Sequence, residues 1–397
     1  MRRALILVGP RLEEHAPRVR GMRRSARAGI SLLEVVFSVG IVMIGLVGIA
    51  ALLPIAGVQA NKGAIADAAA RRGRDAVREF HVRGMANYNT WRWYDPTGSQ
   101  FRPLTNIELL SGNSFCIDPR FVSRGTNAAT HTRRNGFPFI ADMYPVGTLL
   151  EMPRITLTPS MAVGPTLFMG QLQADEVFTG NDDLVFDLPP DRTLGPLQNF
   201  SLSSTLAPLK RNTNGTISWM ATIVPKLNRL GVPTDEYTLS IVVFSRRVID
   251  QILDDENKSN ERVVAVRQFF SGQPAIGGGD VELTTRRNFA DDLELRSGNW
   301  VLLSSIKNVL GGSTPTVQVH KWYRVANAGE DAVFDTATSN WVRDVTLVGP
   351  DWDWGNMGSN YPGPGGYVTP TQVTIVRGVV AVFEKTIRLE SSSLWMN

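Results

Sequence analysis

The longest feature of the hydrophobic pattern is a run from Val35 to Ala60, 26 residues without a charged side chain. As a helix rising 1.5 Å per residue it would extend about 39 Å, more than the ~30 Å hydrocarbon core of a bilayer. It is therefore expected to cross a membrane, and Pro54 inside it is expected to kink or loosen the helix. Polar residues return at Asn61. The stretch "KGAIADAAARRGRDAVREFHVR" keeps Ile65, Ala69, Ala76 and Phe80 on one helical face, so the helix is predicted to continue from Ile30 to about Phe80. Arg72 interrupts that face, and Gly73 lowers helix propensity by ~1 kcal/mol. Arg71, Arg72, Arg74, Arg78 and Arg83 alternate with Asp67, Asp75 and Glu79, the pattern of a solvated, ion-paired face.

From His81 to about Asp235 the pattern is irregular. Breakers such as "YDPTGSQFRP" and "DLPPDRTLGP" leave room for short strands only. Trp91, Trp93, Phe101, Phe115, Phe121, Phe137 and Phe139 are expected to build a core there. From Tyr237 onward, segments rich in Val, Ile, Thr and aromatics, separated by Gly and Asn turns, predict an antiparallel sheet of six or seven strands. "QVTIVRGVVAVFEKTIRLE" is the last of them. The fold class expected is α+β, a long N-terminal helix followed by a large β-rich head.

Charge divides the chain. Residues 1–29 hold eight arginines against Glu13 and Glu14, a formal +6, whereas the whole chain is only +4. The body from residue 30 onward is therefore −2, which argues against a general nucleic-acid binder. The arginines preceding the apolar run favour a cytoplasmic N-terminus. A single cysteine, Cys116, excludes an intrachain disulfide.

One acidic residue, Glu34, stands at the start of the apolar run, where a charge is costly. It is preceded by the basic leader, Ala28-Gly29, and "ISLL". On these residues the chain resembles the type IV prepilin family, including the pseudopilins of type II secretion. That family carries a basic leader, a glycine, an apolar first mature residue, a glutamate fifth, and then an apolar helix. The match covers about 35 residues. It departs at the first mature position, where Ile30 stands in place of the commoner aromatic, and Pro54 lies about three positions beyond the family's usual proline.

The resemblance implies cleavage between Gly29 and Ile30 by a membrane prepilin peptidase, with N-methylation of the new amine. It implies that Glu34 pairs with the first-residue amine of a neighbouring subunit during assembly. The expected division is a removed leader at 1–29, an assembly and membrane helix at 30–60 and its periplasmic continuation at 61–82. An irregular head portion at 83–235 and a β-rich portion at 236–397 follow. Expected partners are the peptidase, other pilin or pseudopilin subunits, the inner-membrane assembly platform and membrane lipid, with no nucleic acid. The leader is long for the family, and Met22 begins a more usual "MRRSARAG" leader.

No enzyme is expected. His81, His131 and His320 are scattered, and the chain lacks the nucleophile, phosphate-loop and zinc motifs. No cofactor is expected. Calcium is the only candidate, at Asp351 and Asp353 in "GPDWDWGN", where Gly355 breaks the ligand spacing. Asp182, Asp183, Asp187 and Asp191 are a weaker acidic group. Two other classes remain open: a competence-type pilin whose head binds DNA, and a membrane-anchored or secreted enzyme. The second would be signalled by cleavage after Val58-Gln59-Ala60.

Overall fold

The computed structural model describes residues 31–104, 112–125, 127–139, 150–158, 168–180, 184–186, 211–213, 216–228, 232–249, 260–270, 278–286, 290–308, 316–352 and 370–390. Two compact units divide at Ala60 and Asn61. Helix α1 (Leu32–Val82) is 51 residues long and supplies the described part of the first unit; its residues from Asn61 onward belong to the second, the head.

Within the head, Ala69, Arg72, Gly73, Ala76 and Phe80 are the buried residues of α1, and Ile65 is half-buried. The apolar spacing thus marks the packed face, but two residues behave differently from expectation. Arg72 is buried rather than solvated, donating to the Val177 carbonyl at 2.7 Å and pairing with Glu79 at 3.1 Å. Gly73 marks a close approach: a Cβ there would lie 2.0 Å from the Phe383 ring. Arg71, Arg74 and Arg78 are exposed, as the charge pattern predicts.

The described chain then forms β1 (Trp91–Asp95), β2 (Gln100–Pro103), β3 (Phe115–Ile117), β4 (Gly136–Phe137), β5 (Met152–Leu157), β6 (Leu184–Phe186), β7 (Arg211–Thr213), β8 (Ile217–Leu227) and β9 (Pro233–Ser245). Next come β10 (Glu261–Phe270), β11 (Gly278–Arg286), β12 (Trp300–Asn308), β13 (Thr316–Ala328), β14 (Val333–Asp335), β15 (Asn340–Val348), β16 (Gln372–Val376) and β17 (Val379–Arg388). The segment expected to hold only short strands contains the 11-residue β8, and the expected boundary at 235/236 falls inside β9. β8 and β9 form a long antiparallel hairpin, and β8 is buried along most of its length on both faces, so its apolar run is nearly continuous, whereas β9 alternates from Glu236 to Ile241.

Two large β-layers form, not one, besides a separate β6–β7 pair. The first is an eight-stranded sheet in the order β17-β9-β8-β3-β5-β1-β2, with β4 beside β5. The second runs β11-β10-β16-β12-β13-β15, and β15 pairs back onto β11 over its whole length. These antiparallel pairings close six strands into a barrel, with β14 extending the β15 edge. Closure removes free edges. Period-two alternation fills its interior with Val301 and Leu303 from β12, Val319 and Tyr323 from β13, Val345 and Leu347 from β15, and Val373 and Ile375 from β16. The outward-pointing Leu302, Trp322 and Val376 pack on Met220, Val242 and Phe244 of the sheet. The sheet's opposite face, with Ile223, Leu239, Ile241 and Val243, meets Ala69, Ala76 and Phe80 of α1.

The last sequence segment is where the layers connect. It is not one strand: β16 belongs to the barrel and β17 to the sheet. The change of direction at Arg377-Gly378 needs φ +83° at Gly378, a conformation disfavoured for residues with a Cβ.

A buried ionic cluster occupies the other crossing. Arg247 follows β9, and Glu261 opens β10. Arg247 reaches Asp118 at 2.9 Å and 2.5 Å, and Glu261 at 3.5 Å. Arg154 of β5 pairs with both carboxylates and donates through Nε to the Gly136 carbonyl at 2.8 Å. The Phe139 N–H donates to Glu261 at 2.6 Å. Two arginines thus balance two carboxylates out of water, the condition under which buried charges are tolerated. Burial alone pushes the Asp118 carboxyl up, but Arg247 and Arg154 outweigh it and hold it below the usual carboxylate range.

Candidate functional site

The apolar half of α1 is exposed. None of its most hydrophobic 18-residue window is buried, and Leu32, Ile44, Val47 and Leu53 are each about two-thirds exposed or more. A Cβ placed on Gly40, Gly45, Gly48 or Gly57 would meet nothing within 4 Å. Such a continuous apolar surface is unfavourable in water at about 25 cal/mol per Å². By length and composition this helix can cross a membrane. Pro54 is accommodated within α1, whose helical backbone continues on both sides.

The helix start is locally specified. The Ser31 hydroxyl accepts from the Leu33 N–H at 3.3 Å, and the Ser31 carbonyl accepts from Glu34 N–H at 2.9 Å and from Val35 N–H at 3.2 Å. Glu34 lies in the first turn, where a carboxylate interacts favourably with the positive end of the helix dipole, by roughly 0.3–1 kcal/mol at an exposed site. Its carbonyl accepts from the Ser38 hydroxyl at 2.8 Å. Ser31 and Glu34 have the S-x-x-E spacing of a capping box, a signal that the sequence itself carries. Gly29 and Ile30, the expected processing pair, lie outside the described residues.

The three histidines among the described residues, His81, His131 and His320, stay apart. His81 is exposed and its Nε2 lies 3.4 Å from Lys385 Nζ. His131 packs among Tyr94, Phe101 and Phe168, and burial lowers its pKa. His320 is buried on β13, and its Nδ1 is 2.8 Å from the Ser304 hydroxyl across the β12–β13 pair. Burial pushes the His320 imidazole down to about 3, which keeps it neutral near pH 7. Ser304 is itself 1% exposed, so the hydroxyl of this pair is closed off from a substrate.

Cys116 is fully buried between Arg154 and Met220, and burial pushes its thiol pKa up, the opposite of what a reactive thiolate needs. The expected aromatic core forms at Trp91, Phe101, Phe115, Phe121, Phe137 and Phe139; Trp93 is half-buried under the Arg102 guanidinium. Among the described residues no group of three His, Cys, Asp or Glu side chains is disposed to hold a metal. Asp351 is exposed and accepts from Lys321 through its backbone carbonyl at 2.6 Å. Asp353, Asp182, Asp183, Asp187 and Asp191 lie outside the described residues. Comparison with models of known protein families, with curated proteins and with solved structures finds no match for this chain.

Proposed function

We propose that this chain is a prepilin-like structural subunit. It is cut between Gly29 and Ile30 by a membrane prepilin peptidase, methylated on the new amine, and assembled through α1 into a type IV pilus or type II secretion pseudopilus. The head would then stand on the periplasmic or extracellular side, with the arginine-rich leader in the cytoplasm. The role is mechanical, a part in a filament. The observation that carries this reading is an exposed apolar helix that begins at Leu32, with Ser31 at its cap and Glu34, the one carboxylate of its apolar half, in the first turn. Glu34 is fifth from the proposed cut and would pair with the first-residue amine of a neighbouring subunit.

The test is N-terminal mass spectrometry of the mature protein from membranes. N-methyl-isoleucine at Ile30 is expected. An N-terminus at Asn61, or an intact leader in cells that process other prepilins, would refute the proposal. A second measurement addresses Glu34: Glu34→Ala should still be processed but be incorporated into filaments at least several-fold less. Normal incorporation would remove the assembly role while leaving the processing claim intact.

A further inference from the structure

The barrel occupies a single stretch of the chain. Its strands, β10 to β16, all lie between Glu261 and Val376, and among the described residues they pair only with one another. The strands on either side of this stretch, β9 and β17, are antiparallel neighbours in the sheet, in register from Phe244 with Val379 to Glu236 with Arg388. The Ser245 N–H donates to the Gly378 carbonyl at 2.8 Å. β9 and β17 are thus the two arms of a hairpin, and residues 246–377 are its loop. At the corners of that loop Arg246 and Gly378 both have positive φ, +52° and +83°. The barrel's own ends also meet. Glu261 and Val376 are register partners, and the Arg377 N–H donates to the Asn260 carbonyl at 2.9 Å. Chain entry and chain exit therefore lie side by side in both layers.

The two layers pack together in one compact head, yet their cores divide. The buried apolar side chains of the barrel interior run from Val264 to Ile375. Among the described residues, Leu227 at the end of β8 is the one apolar side chain from elsewhere in the chain packed against them. The core between the sheet and α1 draws its buried residues from Ala69 to Val243 and from Ile387, and none from 261–376. What joins the layers is side-chain contact. Leu302, Trp322 and Val376 pack on Met220, Val242 and Phe244, Trp322 Nε1 donates to the Thr222 hydroxyl at 3.0 Å, and the Gln372 amide bonds the Leu150 backbone at 3.0 Å. The ionic cluster at the crossing also separates into balanced halves, Asp118 with Arg154 on the sheet and Arg247 with Glu261 on the hairpin loop.

We propose that residues 261–376 are an inserted domain that folds around its own core, and that α1 with the sheet is a complete carrier without it. The stretch lies within the ~50–250 residues of ordinary domains, and insertion is tolerated where entry and exit are adjacent at a turn. Closure of the barrel satisfies its strand edges internally, so the sheet has none of them to complete. Two cores joined by side-chain contact open as two cooperative units, and weakening one leaves the other nearly unchanged. The barrel is then the part that the anchored carrier displays, whether or not the leader is processed.

The test is native-state hydrogen exchange of the full chain in detergent micelles, read by mass spectrometry on peptides from each layer. Leu303→Ala removes packing from the barrel interior. It should speed exchange in β12, β13 and β15 by about thirtyfold or more, and in β8 and β9 by less than about threefold. Ile241→Ala, in the core beneath α1, should do the reverse. Val319→Ala, a smaller truncation in the barrel interior, should repeat the Leu303→Ala contrast at lower amplitude. Complete exchange of the barrel with the sheet still protected would also support the proposal. Loss of protection by similar factors in both layers for either alanine variant, global unfolding included, would overturn it, because a single shared core would then hold the head together.

Discussion

Arg154→Met should be among the most destabilising single substitutions in the head. Arg154 is wholly buried and bonds Asp118, Glu261 and the Gly136 carbonyl, with its guanidinium 3.7 Å over the Phe121 ring. Methionine approximates the aliphatic stem but supplies no charge. Asp118 would keep its two contacts to Arg247, whereas Glu261 would lose its close pairing with Arg154 and keep the longer 3.5 Å approach of Arg247 and the Phe139 N–H. Glu261 is thus the carboxylate whose pairing with arginine is weakened more. Breaking a buried ionic group by removing one partner costs about 3–5 kcal/mol.

The assay is urea unfolding of the full chain in detergent micelles, followed by emission from the buried Trp91, Trp219, Trp322 and Trp352. Adding Glu261→Gln to Arg154→Met should recover part of the loss, with a coupling of at least ~1 kcal/mol. The pH dependence has a definite sign. Because Asp118 is held below its ordinary value, its contribution is present above about pH 4 and is lost as pH falls towards the folded value. Removing Arg154 raises that folded value, so acid unfolding of the variant should begin at higher pH. A loss below ~1 kcal/mol at pH 7, or no coupling with Glu261, would refute the view that this cluster holds the sheet-to-barrel crossing.

Gly73→Ala sets helix propensity, which favours alanine by ~1 kcal/mol, against a Cβ that would lie 2.0 Å from the Phe383 ring. Overpacking of this kind costs about 1–3 kcal/mol, so net destabilisation is expected in the same urea assay, and a stabilised variant would refute the contact. His320 is neutral when folded, with its imidazole at about 3, so the unfolded chain gains a proton first as pH falls below ~6.5. Stability should therefore fall between pH 6.5 and 3 with a slope approaching 1.4 kcal/mol per pH unit, and His320→Gln should flatten that part of the profile. Gly378→Ala should destabilise by about 1–3 kcal/mol, since the residue has φ +83° and a Cβ would stand 2.8 Å from the Ser245 carbonyl oxygen. Equal melting temperatures for Gly378→Ala and the parent would contradict the strained turn.

Local chemistry determined the features that a sequence can carry alone. The charge-free run from Val35 to Ala60 requires an apolar environment whatever follows it, and the 3.6-residue spacing of Ala69, Ala76 and Phe80 marks the face that the head buries. The strands after Tyr237 were legible because β-branched residues and turn glycines recur at short range. Tertiary structure decided what depends on distant partners. Arg72 belongs inside because Val177 offers a carbonyl 105 positions away, and Gly73 is required because Phe383 arrives from the end of the chain. β8 shows little alternation because both its faces are covered, so its pattern could not reveal its length. Barrel closure rests on β11 meeting β15, and the split of "QVTIVRGVVAVFEKTIRLE" between two layers rests on one turn at Gly378. Such pairings are set by which surfaces remain to be buried once neighbouring strands have assembled, a quantity that no single segment encodes.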